Sequence, residues 1–463
     1  MSTFEKQRLS SSFRDPSGYI IYNKEAETVQ RVILSSYHAQ YAHLMQCGLY
    51  EKLVKNNLLV KHQLISQSTK EIIIEPQQIP FISYPYEWSF QLLKEAALLT
   101  LDVAKEALNY NMYLKDATSY NVQLFYGKPI FIDTLSFEFY QEGAPWCAYG
   151  QFCRHFLAPL LFMKYKTLTV SKILAQYIDG LPLEFVSDLL PFHTHFSPFI
   201  KMNIHMHSKK LKQFNSNQTI APAPKLNKKK LQHMFEYMSL FIRSLNYTKS
   251  KTEWGDYYNN TNYLSNAFNE KANIISHWIE RMGAKKLWDA GGNNGHFSRH
   301  IVHKAKQIIV TDIDPVAIDY NYKINKEKQI ESIVPLVVDL TNPSPAIGFD
   351  NQERLSFTAR LLEQQIDCTL VLALIHHLCL SNNCTFEMVL SYFKRVSLFS
   401  IIEFVPPEDS WAQTLLAQKR ESQNLFNFYN QDNFESVCGE HFDIVDKITI
   451  PDSLRTLYLL KRK

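Results

Sequence analysis

Leu287-Trp288-Asp289-Ala290-Gly291-Gly292-Asn293-Asn294-Gly295 is the stretch that decides the fold of this chain. Leu287 and Trp288 suit a buried strand, and Asp289 marks its carboxyl end. A helical pattern resumes from His296 to His303, with Phe297, Ile301 and Val302 on one face. Strand, tight turn and helix in immediate succession make the floor of a nucleotide-like cofactor site. Glycine at 291, 292 and 295 carries no Cβ to hold a ligand off the backbone, and Asn293 and Asn294 tolerate positive φ. A dinucleotide fingerprint needs glycines at the first, third and sixth places; counting from Gly291, the last two hold Asn293 and His296. That spacing excludes an NAD-type turn. A plain strand-to-helix connection would use the same residues, so the flanking sequence has to decide.

Downstream, Gln307 to Thr311 is a second apolar strand ending at Asp312, roughly 20 residues past the turn, where doubly wound folds place the acid that meets ribose hydroxyls. Asp312-Ile313-Asp314-Pro315 then opens a helix with proline in its first turn. A third strand, Ile333 to Val338, ends at Asp339-Leu340. Cys368 to Leu374 is nearly all apolar, as a central strand covered on both faces would be, and runs into Ile375-His376-His377-Leu378. Phe399 to Phe404, containing Glu403, is followed by Val405-Pro406-Pro407-Glu408-Asp409, whose prolines stop strand and helix alike. His441 to Ile450 and Thr456 to Leu460 close the chain as two strand-like runs.

This order of strand ends, three of them acidic, resembles the class I S-adenosylmethionine (SAM) dependent methyltransferases over roughly Tyr247 to Lys463. Asn293 stands in place of the middle glycine of that family's acid-x-Gly-x-Gly-x-Gly motif. The resemblance implies an α/β, seven-stranded, Rossmann-like domain with an antiparallel closing hairpin, and SAM as cofactor. It implies Asp289 at the methionine end, backbone approach at Gly291, Gly292, Asn293 and Gly295, Asp312 with Ile313 at the ribose, and Asp339 with Leu340 at the adenine. His376 and His377 stand at the edge where a methyl acceptor arrives and are candidate bases, with Glu403 and then Glu408 behind them. His-His-Leu recurs there in methyltransferases of varied substrate, so a structural role for the pair is equally open. Trp254, Tyr257 and Tyr258, just upstream, are lid candidates or simple packing aromatics.

The whole chain has 463 residues and a formal net charge of +4, too small to advertise a nucleic-acid groove. Seven scattered cysteines show neither metal-knuckle nor disulfide-scaffold spacing, which suits a reducing compartment. Met1 to Pro16 lacks the apolar core of a signal peptide, and the greasiest run, Phe156 to Met163, is too short to span a bilayer; a cytoplasmic protein is expected. Lysine clusters, Asn-Ser-Asn-Gln and Ala-Pro-Ala-Pro break the periodicity between Ser208 and Lys230. The expected division is therefore a domain over 1–207, a linker over 208–230 and the methyltransferase-like domain over 231–463.

The N-terminal part carries its own pattern. Asp116 is followed by Asn121, a hairpin around Gly127, and Asp133. In kinases a catalytic-loop Asp, an Asn five residues on and a later Asp at a strand end take the substrate proton and hold magnesium. Phe81 to Leu190 thus resembles the large lobe of an aminoglycoside-phosphotransferase-like kinase, within a separate α+β domain. Leu114 replaces the usual histidine, Thr134-Leu135 replaces Phe-Gly, and no glycine-rich phosphate loop lies upstream. Arg31 or Lys24 is the candidate for the nucleotide lysine, and turn formation alone also explains Asp116 and Asn121. ATP and magnesium enter only if this domain is active. His193, His195, His205 and His207 lack a metal-site signature and read as packing or surface residues, so no metal is expected. The order of both halves is similar to bacterial nodulation-protein-like methyltransferases, a label that fixes no acceptor. The expectation is a SAM-dependent methyltransferase whose N-terminal domain binds or presents an unidentified acceptor; the alternative is a bifunctional or regulatory protein whose N-terminal domain uses ATP and magnesium.

Overall fold

Hydrophobic residues that alternate along short strands build the first sheet. Ile72 and Ile74 face a core with Ile33, Tyr37, Tyr41 and Leu135, while Ile73 between them turns to the other face with Ile21 and Val32. The computed structural model describes residues 6–12, 14–210, 226–247, 265–419 and 424–463. The chain forms two compact units: residues 1–249 with 346–355, and residues 250–345 with 356–463.

In the first unit β1 (Lys6–Arg8), β2 (Gly18–Asn23), β3 (Thr28–Leu34), β4 (His62–Gln67) and β5 (Glu71–Pro76) form an antiparallel sheet of order β1-β2-β3-β5-β4. Beyond it runs the 20-residue helix Phe90–Asn109, capped by the Ser89 hydroxyl accepting from the Leu92 amide, with Leu92, Leu93, Ala96 and Ala97 buried. Short strands follow: β6 (Met112–Leu114), β7 (Val122–Phe125), β8 (Lys128–Phe131) and β9 (Phe137–Phe139). β7 and β8 pair through a two-residue turn, Tyr126-Gly127, both at positive φ as a tight hairpin demands, so the hairpin expected around Gly127 forms with Lys128 and Pro129 already in the strand.

Helix Lys228–Ser244 also packs in this unit. Its buried face is Leu231, Phe235, Met238 and Ile242. Phe235 meets Trp146 edge-on at 4.8 Å, and the buried Lys94 ammonium donates to the carbonyls of Arg243 and Leu245 at the helix end. The stretch 231–247, expected with the methyltransferase-like domain, thus lies in the first unit. The part of the expected linker over 211–225 lies outside the described residues.

In the second unit β10 (Lys286–Ala290), β11 (Gln307–Asp312), β12 (Ile333–Val337), β13 (Ile366–Val371), β14 (Ser397–Phe404), β15 (Phe442–Thr449) and β16 (Thr456–Arg462) form one sheet of order β12-β11-β10-β13-β14-β16-β15. The first five are parallel, and β16 enters antiparallel between β14 and β15. This is the seven-stranded, Rossmann-like methyltransferase arrangement expected above. β11 is buried at all six positions and β12 at all five, because helices cover both faces of a parallel sheet. The chain moves outward from β10 through β11 to β12, then returns to β13 on the other side of β10. That reversal opens a crevice at the carboxyl ends of β10 and β13. β13 ends earlier than expected: Leu372 to Leu374 leave the strand, with Ala373 at φ 49°.

Candidate active site

The glycine turn lies at the reversal point, at the end of β10. The amides of Gly291 and Gly292 both donate to the Thr311 carbonyl of β11, at 2.8 and 3.0 Å, so the turn is stitched to the neighbouring strand. Gly291, Asn293 and Gly295 have φ of 74°, 48° and 76°. Gly295 caps helix His296–Ile301 in the left-handed conformation, where a Cβ would lie 2.5 Å from the buried Asn321 amide nitrogen. A Cβ on Gly292 would lie 2.6 Å from the carboxyl carbon of Asp289. Glycine at 292 and 295 is thus required by packing within the turn, before any ligand is considered.

Two buried carboxylates flank this turn. Asp289 Oδ2 accepts from the Ser298 hydroxyl at 2.6 Å, while its Oδ1 is buried with no hydrogen-bond partner. Asp312 accepts the Asn293 amide on one oxygen and the Asp314 amide on the other, each at 2.9 Å. Burial pushes both carboxyls up to about 6. Ile313 is exposed beside Asp312, and Asp314 caps helix Pro315–Glu327. Asp339 is half-buried past the end of β12 and holds its own turn, accepting from the amide and hydroxyl of Thr341; Leu340 is half-buried with it.

Beyond β13, His376 is buried with Nδ1 unpartnered, and its ring lies 4.0 Å from that of the half-buried His377. Burial keeps both imidazoles neutral, His377 down to about 4. Glu403, at the end of β14, is fully buried: Lys271 pairs with Oε2 and Arg455 with Oε1 at 3.3 Å. Arg455 also grips Asp409 through two hydrogen bonds of 2.8 and 3.2 Å, and Lys271 sits 4.4 Å over the Phe297 ring. Both Glu403 oxygens are committed to cations, which suits holding the end of β14 in place better than taking a proton. Glu408 lines an open cleft of about 690 Å³ with Asp409, Asp452 and Arg455. The lid candidates Trp254, Tyr257 and Tyr258 lie outside the described residues.

In the first unit Arg31, on β3, reaches Asp133 at 3.0 Å and also pairs with Asp15; Lys24 is exposed in the turn after β2. Asp133 Oδ1 accepts from Arg31 and the Leu135 amide, and Oδ2 from the Ser136 hydroxyl. Asn121 donates to that same Ser136 hydroxyl at 3.1 Å. Asp116 accepts the Thr118 amide, and its carboxyl is pushed up, first by burial and then by Asp133. Asp116, Asn121 and Asp133 therefore converge, with a guanidinium on the site's central carboxylate. Of the four histidines, His205 engages the hydroxyls of Ser187 and Thr194 and stacks on His195 at 3.7 Å, while His207 stacks on Tyr149.

No family model matches the chain. Nodulation protein NoeA of Rhizobium meliloti (strain 1021) is 31% identical over 470 residues, spanning 98% of this chain and 96% of that protein. The chain belongs to the NoeA family. Among solved structures, this NoeA-family chain is similar to magnesium protoporphyrin IX methyltransferase (ChlM) from Synechocystis PCC 6803 (13% identity, TM-score 0.32, 42% of this chain and 84% of that one). It is similar as well to the N-methyltransferase NodS from Bradyrhizobium japonicum WM9 (12%, 0.29, 43% and 98%) and to the bifunctional kinase-methyltransferase WbdD (15%, 0.28, 42% and 38%). These likenesses are faint, and the fold rests on the strand order itself.

Several site residues of this NoeA-family chain escaped sequence reasoning. Lys271 had a signal: it falls in the buried stripe Ala267, Ala272, Ile275, Trp278 and Ile279 of helix Ser265–Met282, a position where lysine needs a buried partner. Ser298 lies only nine residues past its partner Asp289, across the glycine turn, while Arg455 had no signal, since Asp409 and Glu403 are distant from it in sequence. Among the described residues, no helix is long and apolar enough to cross a membrane.

Proposed function

We propose that this chain is a SAM-dependent methyltransferase acting on an acceptor bound with the help of its first unit. One observation carries the reading: two buried carboxylates, Asp289 and Asp312, flank a left-handed glycine turn at the reversal point of a sheet of methyltransferase order. The residues fit the cofactor. Asp289 Oδ1 is a buried acceptor with no partner, suited to an ammonium group, and Asp312, with Ile313 exposed next to it, would take a ribose diol. Asp339 and Leu340 would take the adenine side.

When bound, SAM supplies an electrophilic methyl group on a sulfonium. The chain's part is mainly alignment, which the turn and the two carboxylates supply by fixing one partner against the other. An oxygen or nitrogen acceptor loses a proton on methylation. The neutral imidazole of His376 or His377 is in the right state to take it at physiological pH, Nδ1 of His376 being without a partner. Glu403 would act as a positioning residue through Lys271 and Arg455.

Titration calorimetry of the full chain with SAM, beside Asp312→Ala, tests the proposal. Saturable binding that the variant loses supports it, and no heat with the native chain would sink it. The rival, an ATP- and magnesium-using first unit built on Asp116, Asn121 and Asp133, has those three residues converging in its favour. Against it weighs Arg31, whose guanidinium occupies the carboxylate that would have to hold magnesium.

A further inference from the structure

Residues 346–355 lie in sequence between β12 and the helix Phe357–Gln364, both parts of the second unit, yet they fold as part of the first. They form a closed tongue. Ile347 and Arg354 exchange two backbone hydrogen bonds of 3.0 and 3.1 Å, and the Glu353 carboxylate accepts the Phe349 amide at 2.7 Å. Gly348, at φ 91°, lies so close that a Cβ would sit 2.5 Å from that of Glu353.

Three separate segments of the first unit grip this tongue. Arg14, in the connection between β1 and β2, holds the nearly buried Glu353 carboxylate through Nε and Nη2 at 2.9–3.1 Å. Arg354 donates to the Ser11 carbonyl at 2.9 Å and lies 4.6 Å over the Tyr120 ring, one residue before Asn121. The Tyr84 hydroxyl, past β5, accepts the Leu355 amide at 3.2 Å. In a kinase, the β1–β2 connection and the catalytic loop are segments that enclose the nucleotide phosphates. In this chain the β1–β2 connection and the segment before Asn121 both hold a peptide of the same chain.

The tongue is joined to the second unit by short, stiff connections. Six residues, Leu340 to Pro345, separate it from Asp339, and Pro343 and Pro345 restrict them. The Ser344 carbonyl accepts the Phe357 amide at 2.9 Å, and Ser356, directly after Leu355, caps the helix Phe357–Gln364. We propose that residues 346–355 are a latch by which the first unit controls the cofactor site: while clasped by Arg14, Tyr84 and Tyr120, the tongue holds the Asp339–Leu340 loop in its cofactor-binding form. This rests on the SAM reading above.

The test uses the full chain with Arg14→Glu, Glu353→Arg and the exchanged pair, reading hydrogen exchange of 340–355 and SAM affinity by calorimetry. Each single variant puts like charges together. It should speed exchange in 346–355 and weaken SAM about tenfold, the size of an ordinary coupling between sites. The exchanged pair should restore both. Faster exchange with unchanged SAM affinity would refute the coupling, and unchanged exchange would refute the clasp. If the native chain binds no SAM, the cofactor reading fails and the latch loses its role, while the exchange data still report the clasp separately.

Discussion

Acidification from pH 7.5 to pH 5 should loosen SAM from this chain. Asp289 and Asp312, both pushed up to about 6 by burial, must be ionised to receive an ammonium group and a ribose diol. At pH 7.5 each is almost wholly ionised, and at pH 5 roughly one molecule in eleven retains the charge, so each costs about tenfold in affinity, or about 1.4 kcal/mol. The native chain should therefore bind about a hundredfold more weakly at pH 5 than at pH 7.5, and Asp312→Asn, already weaker, should lose only about tenfold further. Folding responds with the opposite sign. A carboxyl whose folded value lies above its unfolded one makes the folded state costlier as pH rises, so its penalty vanishes below the unfolded value near 3.8 and is complete well above about 6. Buried His62 and half-buried His296 and His377, each held down to about 4, act the other way, losing stability as pH falls. The clean quantity is the difference in unfolding free energy between native chain and Asp312→Asn, which should shift by about 1.4 kcal/mol in favour of the native chain on going from pH 7.5 to pH 5. Calorimetric titration and urea unfolding at the two pH values supply both numbers. Affinity unchanged between pH 5 and pH 7.5 would refute the assignment of these carboxylates to the cofactor.

Other substitutions probe separate contacts. Gly292→Ala forces a methyl to within 2.6 Å of the Asp289 carboxyl carbon and 2.7 Å of Val310 Cγ1, and should cost about 1–3 kcal/mol by urea unfolding together with most SAM binding. Glu403→Gln withdraws the charge on which the buried Lys271 and Arg455 converge and should cost about 3–5 kcal/mol; Glu403→Gln with Lys271→Met should recover part of that, a result a catalytic base would not give. Arg31→Met strips the cation from Asp133 and should lower the first unit's stability by roughly 2–3 kcal/mol, discounted for the partial exposure of the pair. The same variant frees the Asp133 carboxylate, so magnesium-dependent ATP binding measured before and after the change tests whether Arg31 is what closes that site.

How much of this was legible depended on whether the signal was local. The glycine turn, the acids at 289, 312 and 339 and the apolar strands between them are properties of adjacent residues, and strand order follows because parallel strands joined by helices can be wound in few ways. The helix Lys228–Ser244 shows the first limit. Its buried spacing of Leu231, Phe235, Met238 and Ile242 marks it as amphipathic, yet periodicity names a face and never the surface that covers it, and its lysine-rich start imitates a linker.

Charge pairing shows the second limit. Arg31 was one of two candidates for the nucleotide lysine; only the fold tells that its partner is Asp133, so that the residue expected to greet a phosphate instead neutralises the carboxylate expected to hold a metal. Arg14 and Glu353 stand 339 positions apart, and nothing near either predicts the other. A bidentate ion pair between a half-exposed arginine and a nearly buried glutamate is well placed to be broken and remade, because its geometry gives specificity while one partner keeps access to water. Were the tongue only a filler, apolar residues would close the same space without the desolvation cost that a buried carboxylate carries. The use of charge at the clasp and of rigid proline at the connector makes the exchanged pair Arg14→Glu with Glu353→Arg, not either single variant, the decisive test.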